Sequence, residues 1–121
     1  MKSYFALSVL APAGDRILAG EKTLEIRQWR PESLPLRDLV IVQNKIRLSS
    51  AGISEDLDGE AIAMVDVESV DDWKPHERSE ACAAYWEPGW KAWRLSNVRP
   101  WSLKGAYPAR LRVYTIDLAE I

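Results

Sequence analysis

The sequence predicts a compact α+β domain, a small mixed β-barrel of five to six strands with two short helices. At 121 residues the chain can close one hydrophobic core but is short for two, so residues 1–121 are expected to form a single domain. Its 47% hydrophobic and 28% charged residues are typical of a globular protein rather than a disordered one. Short β-branched and aromatic runs separated by proline and glycine indicate strands joined by turns.

The first predicted element is a strand over residues 4–10, because its aromatic and β-branched residues suit a buried sheet position. A proline and a glycine interrupt it. A short helix is predicted over residues 15–19, and it ends at Gly20, since glycine adopts the left-handed conformation of a helix end without strain. The next strand is predicted over residues 23–29.

The middle of the chain predicts two more strands and the second helix. Residues 38–44 are almost continuously apolar, which is typical of a strand covered on both faces. A long polar loop or a loose hairpin over residues 45–60 precedes a strand over residues 61–70. Residues 75–85 are predicted to be helical, with a proline in the first turn. The last two strands are predicted within WEPGWKAWRLSNVRPW and ARLRVYTIDL.

The sequence gives no sign of a membrane segment, a metal or a cofactor. Its N-terminal apolar run is too short for a signal peptide or a membrane span, so we expect a cytoplasmic protein that does not associate with membranes. With one cysteine and one histidine, the chain lacks the Cys/His ligand cluster of the familiar metal sites. The oligomeric state is not predicted.

Charge is distributed unevenly along the chain, although the net charge is only −2. Lysine and arginine outnumber aspartate and glutamate by eight to five over residues 1–53 and by six to three over residues 81–121, whereas residues 54–80 contain two against ten. If the fold brings the two ends of the chain together, they would form a locally basic face that favours a polyanion. The alternative is charge spread over the whole solvated surface.

The stretch GEKTLEIRQW, residues 20–29, concentrates charged and aromatic side chains in one predicted strand. Because side chains alternate along a strand, Leu24 and Ile26 should share an apolar face, and the opposite face should carry Glu25 and Arg27. Trp29 would lie on that polar face as well. Lys22 belongs to the apolar face, so its ammonium group must reach around the strand edge or into a cavity.

Four of the six tryptophans lie in one span that also contains lysine and arginine residues. They are Trp86, Trp90, Trp93 and Trp101. Aromatic rings beside cationic groups suit base stacking and phosphate contact in single-stranded nucleic-acid sites. In so small a domain some of these rings must instead fill the core, because each buries a large apolar area.

The chain resembles the ASCH domain family, whose members share a PUA-like β-barrel. The family pattern is close to GxKxxExRxW, and its five defined positions are filled by Gly20, Lys22, Glu25, Arg27 and Trp29. Further similarity lies in LVIVQN, GEAIAMVDVESV and WRLSNVRPW, so the resemblance covers nearly the whole chain. It implies a PUA-like fold.

The resemblance also implies a ligand cleft beside the motif and a link to RNA. RNA, or a nucleoside- or nucleotide-like small molecule, is therefore the expected partner. Lys22 and Arg27 are expected to hold a phosphate or base carbonyl, Glu25 to accept from an amine, and Trp29 to stack, with Asn44 nearby. Alternatively, Glu25 and Arg27 only form a cross-strand ion pair that closes the barrel.

A competing hypothesis is a hydrolase that acts on a modified nucleoside or on RNA. Some similar proteins are amidohydrolases of N4-acetylcytidine nucleosides that use a lysine, a threonine and a glutamate. Lys22 matches the lysine, but Glu25 occupies the threonine position, so Lys22 and Glu25 are the candidate catalytic residues. The glutamate would come from near Glu77 or Glu80.

Two further points bear on the site. Many family members have Gln-Pro-Trp where this chain has Ala-Pro-Ala at residues 11–13, so one wall of the cleft is expected to differ. A protein-interaction module is a third possibility, favoured if the tryptophan-rich span is exposed and apolar.

Overall fold

The computed structural model describes residues 2–101 and 106–118. One six-residue α-helix, one 3-10 turn and seven strands make up this part of the chain. In order they are β1 (Lys2–Leu10), α1 (Ala13–Leu18), β2 (Leu24–Arg27), β3 (Leu36–Asn44), β4 (Glu55–Asp72), the 3-10 turn (Pro75–Glu77), β5 (Lys91–Pro100), β6 (Ala106–Arg110) and β7 (Val113–Leu118). No helix in these two ranges is long and apolar enough to cross a membrane.

The strands form one mixed sheet in the order β2-β5-β4-β3-β1-β7, and β6 pairs with β4 outside this path. The β1–β3 pair is parallel, and the other pairs are antiparallel. The 18-residue β4 is the centre of the sheet. Ala63 of β4 pairs with Ile41 of β3 and with Pro100 of β5, and Glu60 pairs with Gln43 of β3 and with β6. Strands β5 and β6 therefore lie end to end along one edge of β4, opposite β3.

The apolar side chains pack on both faces of the central strands. In β3, Leu39 and Ile41 belong to one buried cluster, and Val40 and Val42 belong to a second cluster on the opposite face. All four side chains are fully buried, which confirms the prediction of a strand covered on both sides. A third, smaller cluster packs Leu24 of β2 against residues that include Trp73, Ala81 and Ala92.

The β-rich architecture with few helices is confirmed, but the predicted barrel and strand number are wrong. The sheet path ends at β2 and β7, and these two strands do not pair with each other in the described ranges. Seven strands are present rather than five or six, because the last predicted strand, residues 109–118, is divided between β6 and β7. The chain changes partner from β4 to β1 there, and Arg112 adopts a positive φ of 61° at the change.

The structure differs from the sequence prediction in two further places, both of which involve β4. The predicted loop over residues 45–60 ends early, because β4 already begins at Glu55. Within β4, Val65 and Val67 are buried, but the buried face then shifts, so that Val70 is buried and Ser69 is exposed. A register irregularity between Val67 and Val70 in the pairing with β5 accounts for the shift, since an extra residue reverses the faces of a strand.

The predicted helix over residues 75–85 is wrong, because only a single 3-10 turn forms there. Its backbone carbonyl groups have other partners. The carbonyl of Glu77 accepts from the Trp73 indole at 3.2 Å, and the carbonyl of Glu80 accepts from the backbone N–H groups of Thr23 and Leu24 at 2.8 and 3.1 Å. These carbonyl groups are therefore used to attach the segment to the sheet rather than to continue a helix.

Candidate functional site

Three charged side chains of the GEKTLEIRQW stretch form one connected cluster, which we call the motif cluster: Lys22, Glu25 and Arg27. The Lys22 ammonium lies 3.4 Å from Oε1 of Glu25, and Nη2 of Arg27 lies 3.0 Å from Oε2 of the same carboxylate. Lys22 and Glu25 are buried, each with 7% of its surface exposed. The carboxylate of Glu25 therefore joins two cations in a nearly dry environment.

The turn that ends α1 and the short strand β2 position this cluster. Gly20 follows the helix with a φ of +80°, as predicted for a glycine at a helix end, and the N–H of Lys22 donates to Arg16 O at 3.1 Å. The Lys22 ammonium then donates to Ala81 O at 2.7 Å. Arg27, at the end of β2, donates to Ser8 O of β1 at 2.7 Å. Each cation is thus held by a backbone carbonyl group as well as by Glu25.

The balance of burial and charge lowers the pKa of Glu25 below its ordinary value of 4.5. Burial alone would raise this pKa, since it disfavours the charged carboxylate. The positive charges of Arg27 and Lys22 act in the opposite direction, and so do hydrogen bonds from Arg27 and from the N–H of Ile26. These interactions outweigh burial, so Glu25 is a carboxylate at neutral pH.

A cavity of about 350 Å³ lies beside the motif cluster, and we call it the arginine cavity. Glu25 is the only carboxylate among its lining residues. The cationic lining residues are Lys22, Arg27, Arg47, Arg110 and Arg112. Of the five, Arg110 pairs with Glu55. In the described part of the chain, Arg47 and Arg112 have neither an ion pair nor a hydrogen bond, and Arg112 lies over the ring of Trp29. The cavity therefore has an excess of positive charge.

The cavity combines the two basic stretches of the sequence. All of its lining residues come from residues 8–48 and 90–112, and none comes from the acidic stretch over residues 54–80. Arg47, Arg110 and Arg112 were not identified as site residues by sequence reasoning. The uneven charge distribution along the chain was the signal that pointed to them, although it could not single out individual residues.

The other two predicted ligand-binding residues have different positions. Asn44 is 3% exposed, lines the arginine cavity and donates from its side chain to Ile46 O. Trp29 does not line this cavity, because it packs against the main core with its ring centroid 5.0 Å from that of Trp93. The guanidinium carbon of Arg112 lies 4.1 Å from the centroid of Trp29. Trp29 therefore contacts a cavity residue rather than the cavity.

A second cavity of about 340 Å³ adjoins the first, and we call it the tryptophan cavity. Its lining includes three aromatic residues: Trp73, Tyr85 and Trp90. Four residues line both cavities: Lys22, Glu25, Ile26 and Trp90. Lys22 and Glu25 thus form part of the boundary between an arginine-rich cavity and an aromatic one.

The remaining candidate residues lie outside the two cavities. Glu77 is buried and pairs with Arg94 at 3.0 Å, and Glu80 lines neither cavity. Burial alone would raise the pKa of Glu77, but hydrogen bonds from Arg94 and from the N–H of Lys74 lower it. Thr23 lines neither cavity, so no threonine takes the place that Glu25 occupies. The threonine–glutamate pair of the amidohydrolases is therefore not assembled beside Lys22.

The tryptophan-rich span contributes mainly to packing. Trp93 is fully buried, and Trp86, Trp90 and Trp101 are half-buried against apolar clusters. The exposed apolar surface that would favour a protein-interaction module is therefore not formed by these tryptophans.

Comparisons with known proteins agree with this architecture. The chain is similar to the ASCH protein of Zymomonas mobilis, with a TM-score of 0.55 and 19% identity over 80% of this chain and 69% of that one. A point mutant of the same protein gives a TM-score of 0.50 at 18% identity, over 90% and 88% of the two chains. At this identity the likeness concerns the fold alone. No curated protein matches the chain. The ASCH domain family model matches residues 7–105, and the chain therefore belongs to the ASCH domain family.

Proposed function

We propose that the arginine cavity binds RNA or a nucleotide-like ligand through its phosphate groups. The observation that carries the proposal is the charge around about 350 Å³: among the described lining residues there are five cations and one carboxylate, and Glu55 offsets one of these cations by pairing with Arg110. Guanidinium groups bind phosphate oxygens with pairs of charge-assisted hydrogen bonds, so a cavity with several arginines favours a phosphate over a neutral guest. The volume lies at the lower end of the usual range for ligand sites, about 300–1,000 Å³.

The cavity residues would divide the work of binding. Arg47 and Arg112 have no carboxylate partner within residues 2–101 and 106–118, so a phosphate would not have to displace one. Arg27 uses Nη2 for Ser8 and Glu25, which leaves its Nε and Nη1 donors for a ligand. Trp29 would act indirectly, because its ring lies against the guanidinium group of Arg112 and so limits the positions that this group can take.

Binding of a fluorescently labelled single-stranded RNA, followed by anisotropy at two salt concentrations, tests this proposal. We expect an affinity that falls with salt, because phosphate contacts release counterions. The double variant Arg47→Ala/Arg112→Ala should bind at least tenfold more weakly, and each lost contact should reduce the slope of log K against log salt by about 0.7.

The matched control is Arg37→Ala/Lys91→Ala, which also removes two positive charges. Arg37 pairs with Glu68 and Lys91 with Asp72, and neither residue lines the arginine cavity. This variant should bind RNA like the wild type. Absence of RNA binding at low salt, or equal losses in the two double variants, would contradict the proposal.

A hydrolase is the second candidate, and the contact between Lys22 and Glu25 is the observation in its favour. The 3.4 Å approach of the ammonium group to the carboxylate lies at the edge of both cavities, within reach of a bound ligand. Incubation of N4-acetylcytidine or of RNA with the wild type and with Lys22→Ala tests it. Turnover that Lys22→Ala abolishes would support the hydrolase, and absent or equal turnover would exclude this role for Lys22.

A further inference from the structure

We infer that the tryptophan cavity is the base-binding half of the same site. A nucleotide would lie across Lys22 and Glu25, with its phosphate in the arginine cavity and its base beside Trp90 and Tyr85. This inference rests on the proposed function, because it assigns the orientation of a ligand whose phosphate occupies the first cavity.

The two cavities are connected. They share four lining residues, and Trp90 is the shared aromatic residue. At about 350 and 340 Å³, each cavity lies at the lower end of the usual range for ligand sites. A single nucleotide has two chemically different ends joined by a short linker, which matches two adjoining cavities of different character.

The two cavities differ in the charge of their lining residues. No arginine lines the tryptophan cavity, and its charged lining residues are Lys22, Glu25 and Glu87. Lys22 and Glu25 neutralise each other at 3.4 Å, so Glu87 gives this cavity a negative character. A phosphate is therefore repelled from the tryptophan cavity and attracted to the arginine cavity, which fixes the direction in which a nucleotide would bind.

Tyr85 has an exposed aromatic ring. This residue is 82% exposed although it lines the cavity, whereas Trp73 and Trp90 are held in the third apolar cluster. An aromatic ring that lines a cavity but remains exposed to solvent offers a stacking face for a base. Packing within the domain does not account for Tyr85 at this position.

Glu87 indicates which bases the cavity would favour. Its carboxylate has no ion pair and no hydrogen bond in the described residues. An ionised carboxylate accepts hydrogen bonds but cannot donate them. The exocyclic amines of cytosine and adenine are donors, whereas uracil has carbonyl oxygens at the corresponding position. The geometry therefore favours a base with an exocyclic amine over uracil.

The experiment compares two labelled single-stranded RNAs with the same backbone, one with adenine bases and one abasic, by fluorescence anisotropy. The wild type should bind the adenine strand at least fivefold more tightly, since a stacked base contributes about 1–3 kcal/mol. Tyr85→Ala should remove this preference without weakening abasic RNA. Tyr85→Phe, which keeps the ring, should retain it. Glu87→Gln should reduce the preference for oligo-adenine over oligo-uridine.

The outcomes separate the two proposals. Equal wild-type affinity for adenine and abasic RNA, or equal weakening of both by Tyr85→Ala, would overturn the base-binding assignment while phosphate binding in the arginine cavity stands. If neither RNA binds at low salt, the proposed function fails and this inference fails with it. Leu57→Ala, which truncates a side chain that is 66% exposed and lines neither cavity, should change neither affinity.

Discussion

Two clusters of charged side chains each place one carboxylate between two cations, but they differ in surroundings. In the motif cluster, Glu25 joins Lys22 and Arg27 beside the arginine cavity. In the second, which we call the Asp66 cluster, Asp66 lies 3.5 Å from both Arg37 and Arg99 on the central strands. Two additional carboxylates take part there, since Glu68 pairs with Arg37 and Asp38 pairs with Arg99.

The difference lies in the balance of charge and the presence of space. Arginines of the Asp66 cluster are matched by carboxylates, and neither Asp66 nor its two arginines line the arginine or the tryptophan cavity. The motif cluster, in contrast, borders a cavity that Arg47 and Arg112 also line, and these two arginines have no carboxylate partner in the described ranges. An unbalanced cluster beside a cavity is thus a better indication of a binding site than an ion pair alone.

The largest expected effect is on folding stability, when each central carboxylate is replaced by its amide. Glu25→Gln would leave the buried Lys22 and the half-buried Arg27 without their counter-charge, so we expect the free energy of unfolding to fall by about 3 kcal/mol or more. Asp66→Asn keeps one acceptor for the Asp38 N–H, and a loss of about 1 kcal/mol is expected.

Urea denaturation of the two variants and the wild type at pH 7 measures both values. Glu25 and Asp66 are each 7% exposed, and the clusters differ in the burial of their cations. Equal losses of stability would show that the burial of Lys22 does not distinguish the two clusters.

The second effect concerns the pH dependence of stability. The folded-state pKa of Glu25 lies below its ordinary value of 4.5, so its contribution to stability is complete well above pH 4.5 and is lost as the pH falls through the folded-state pKa. The difference in stability between the wild type and Glu25→Gln should therefore narrow as the pH is lowered below 4.5. Urea denaturation at successive pH values checks this.

The Asp66 cluster should respond in the same direction for a different reason. Hydrogen bonds from the Asp38 N–H and the Asn97 side chain lower the pKa of Asp66, and the neighbouring arginines add to this effect. Because buried charge pairs are screened less than exposed ones, and the arginines beside Asp66 are more exposed than Lys22, added salt should reduce the pH effect of Asp66 more than that of Glu25. A salt effect of the same size on both would contradict this distinction.

The smallest expected effect comes from the contact between Trp29 and Arg112. Trp29→Phe keeps an aromatic ring but weakens the cation–π contact, which is worth about 0.5–1 kcal/mol at an exposed site. RNA affinity should fall by about two- to fivefold. In the Arg112→Ala background the same change should have no effect, and anisotropy titrations of the four proteins measure this coupling. If Trp29→Phe weakens RNA binding as much in the Arg112→Ala background as in the wild type, the tryptophan contacts the ligand directly.

The alternation in β2 explains how far the site could be predicted from the sequence. It correctly separated Leu24, which is buried in an apolar cluster, from Glu25 and Arg27, which line the arginine cavity. It failed for Trp29 because β2 ends at Arg27, and a strand period has no meaning beyond the end of the strand. The position of Trp29 depends instead on Trp93 and Arg112, which are distant in sequence.

Tertiary partners explain the other failures. Residues 75–85 have the composition of a helix, but Trp73, Lys22 and the start of β2 bind their carbonyl groups, and no local pattern reports such partners. The division of residues 106–118 between β6 and β7 is set by pairing with β4 and β1, which the sequence does not encode locally. Strand composition was therefore predictable, whereas strand pairing was not.

The hydrogen bond from Lys22 to the carbonyl group of Ala81 joins a residue that lines both cavities to the lining of the tryptophan cavity. Ala81 and its neighbours form part of the lining of the tryptophan cavity. Three hydrogen bonds attach this part of the lining to the start of β2: one from Lys22 to Ala81, and two from backbone N–H groups to Glu80. A ligand in the arginine cavity that drew the Lys22 ammonium away from Ala81 would remove one of these three hydrogen bonds and leave only the two N–H groups to hold this lining in place.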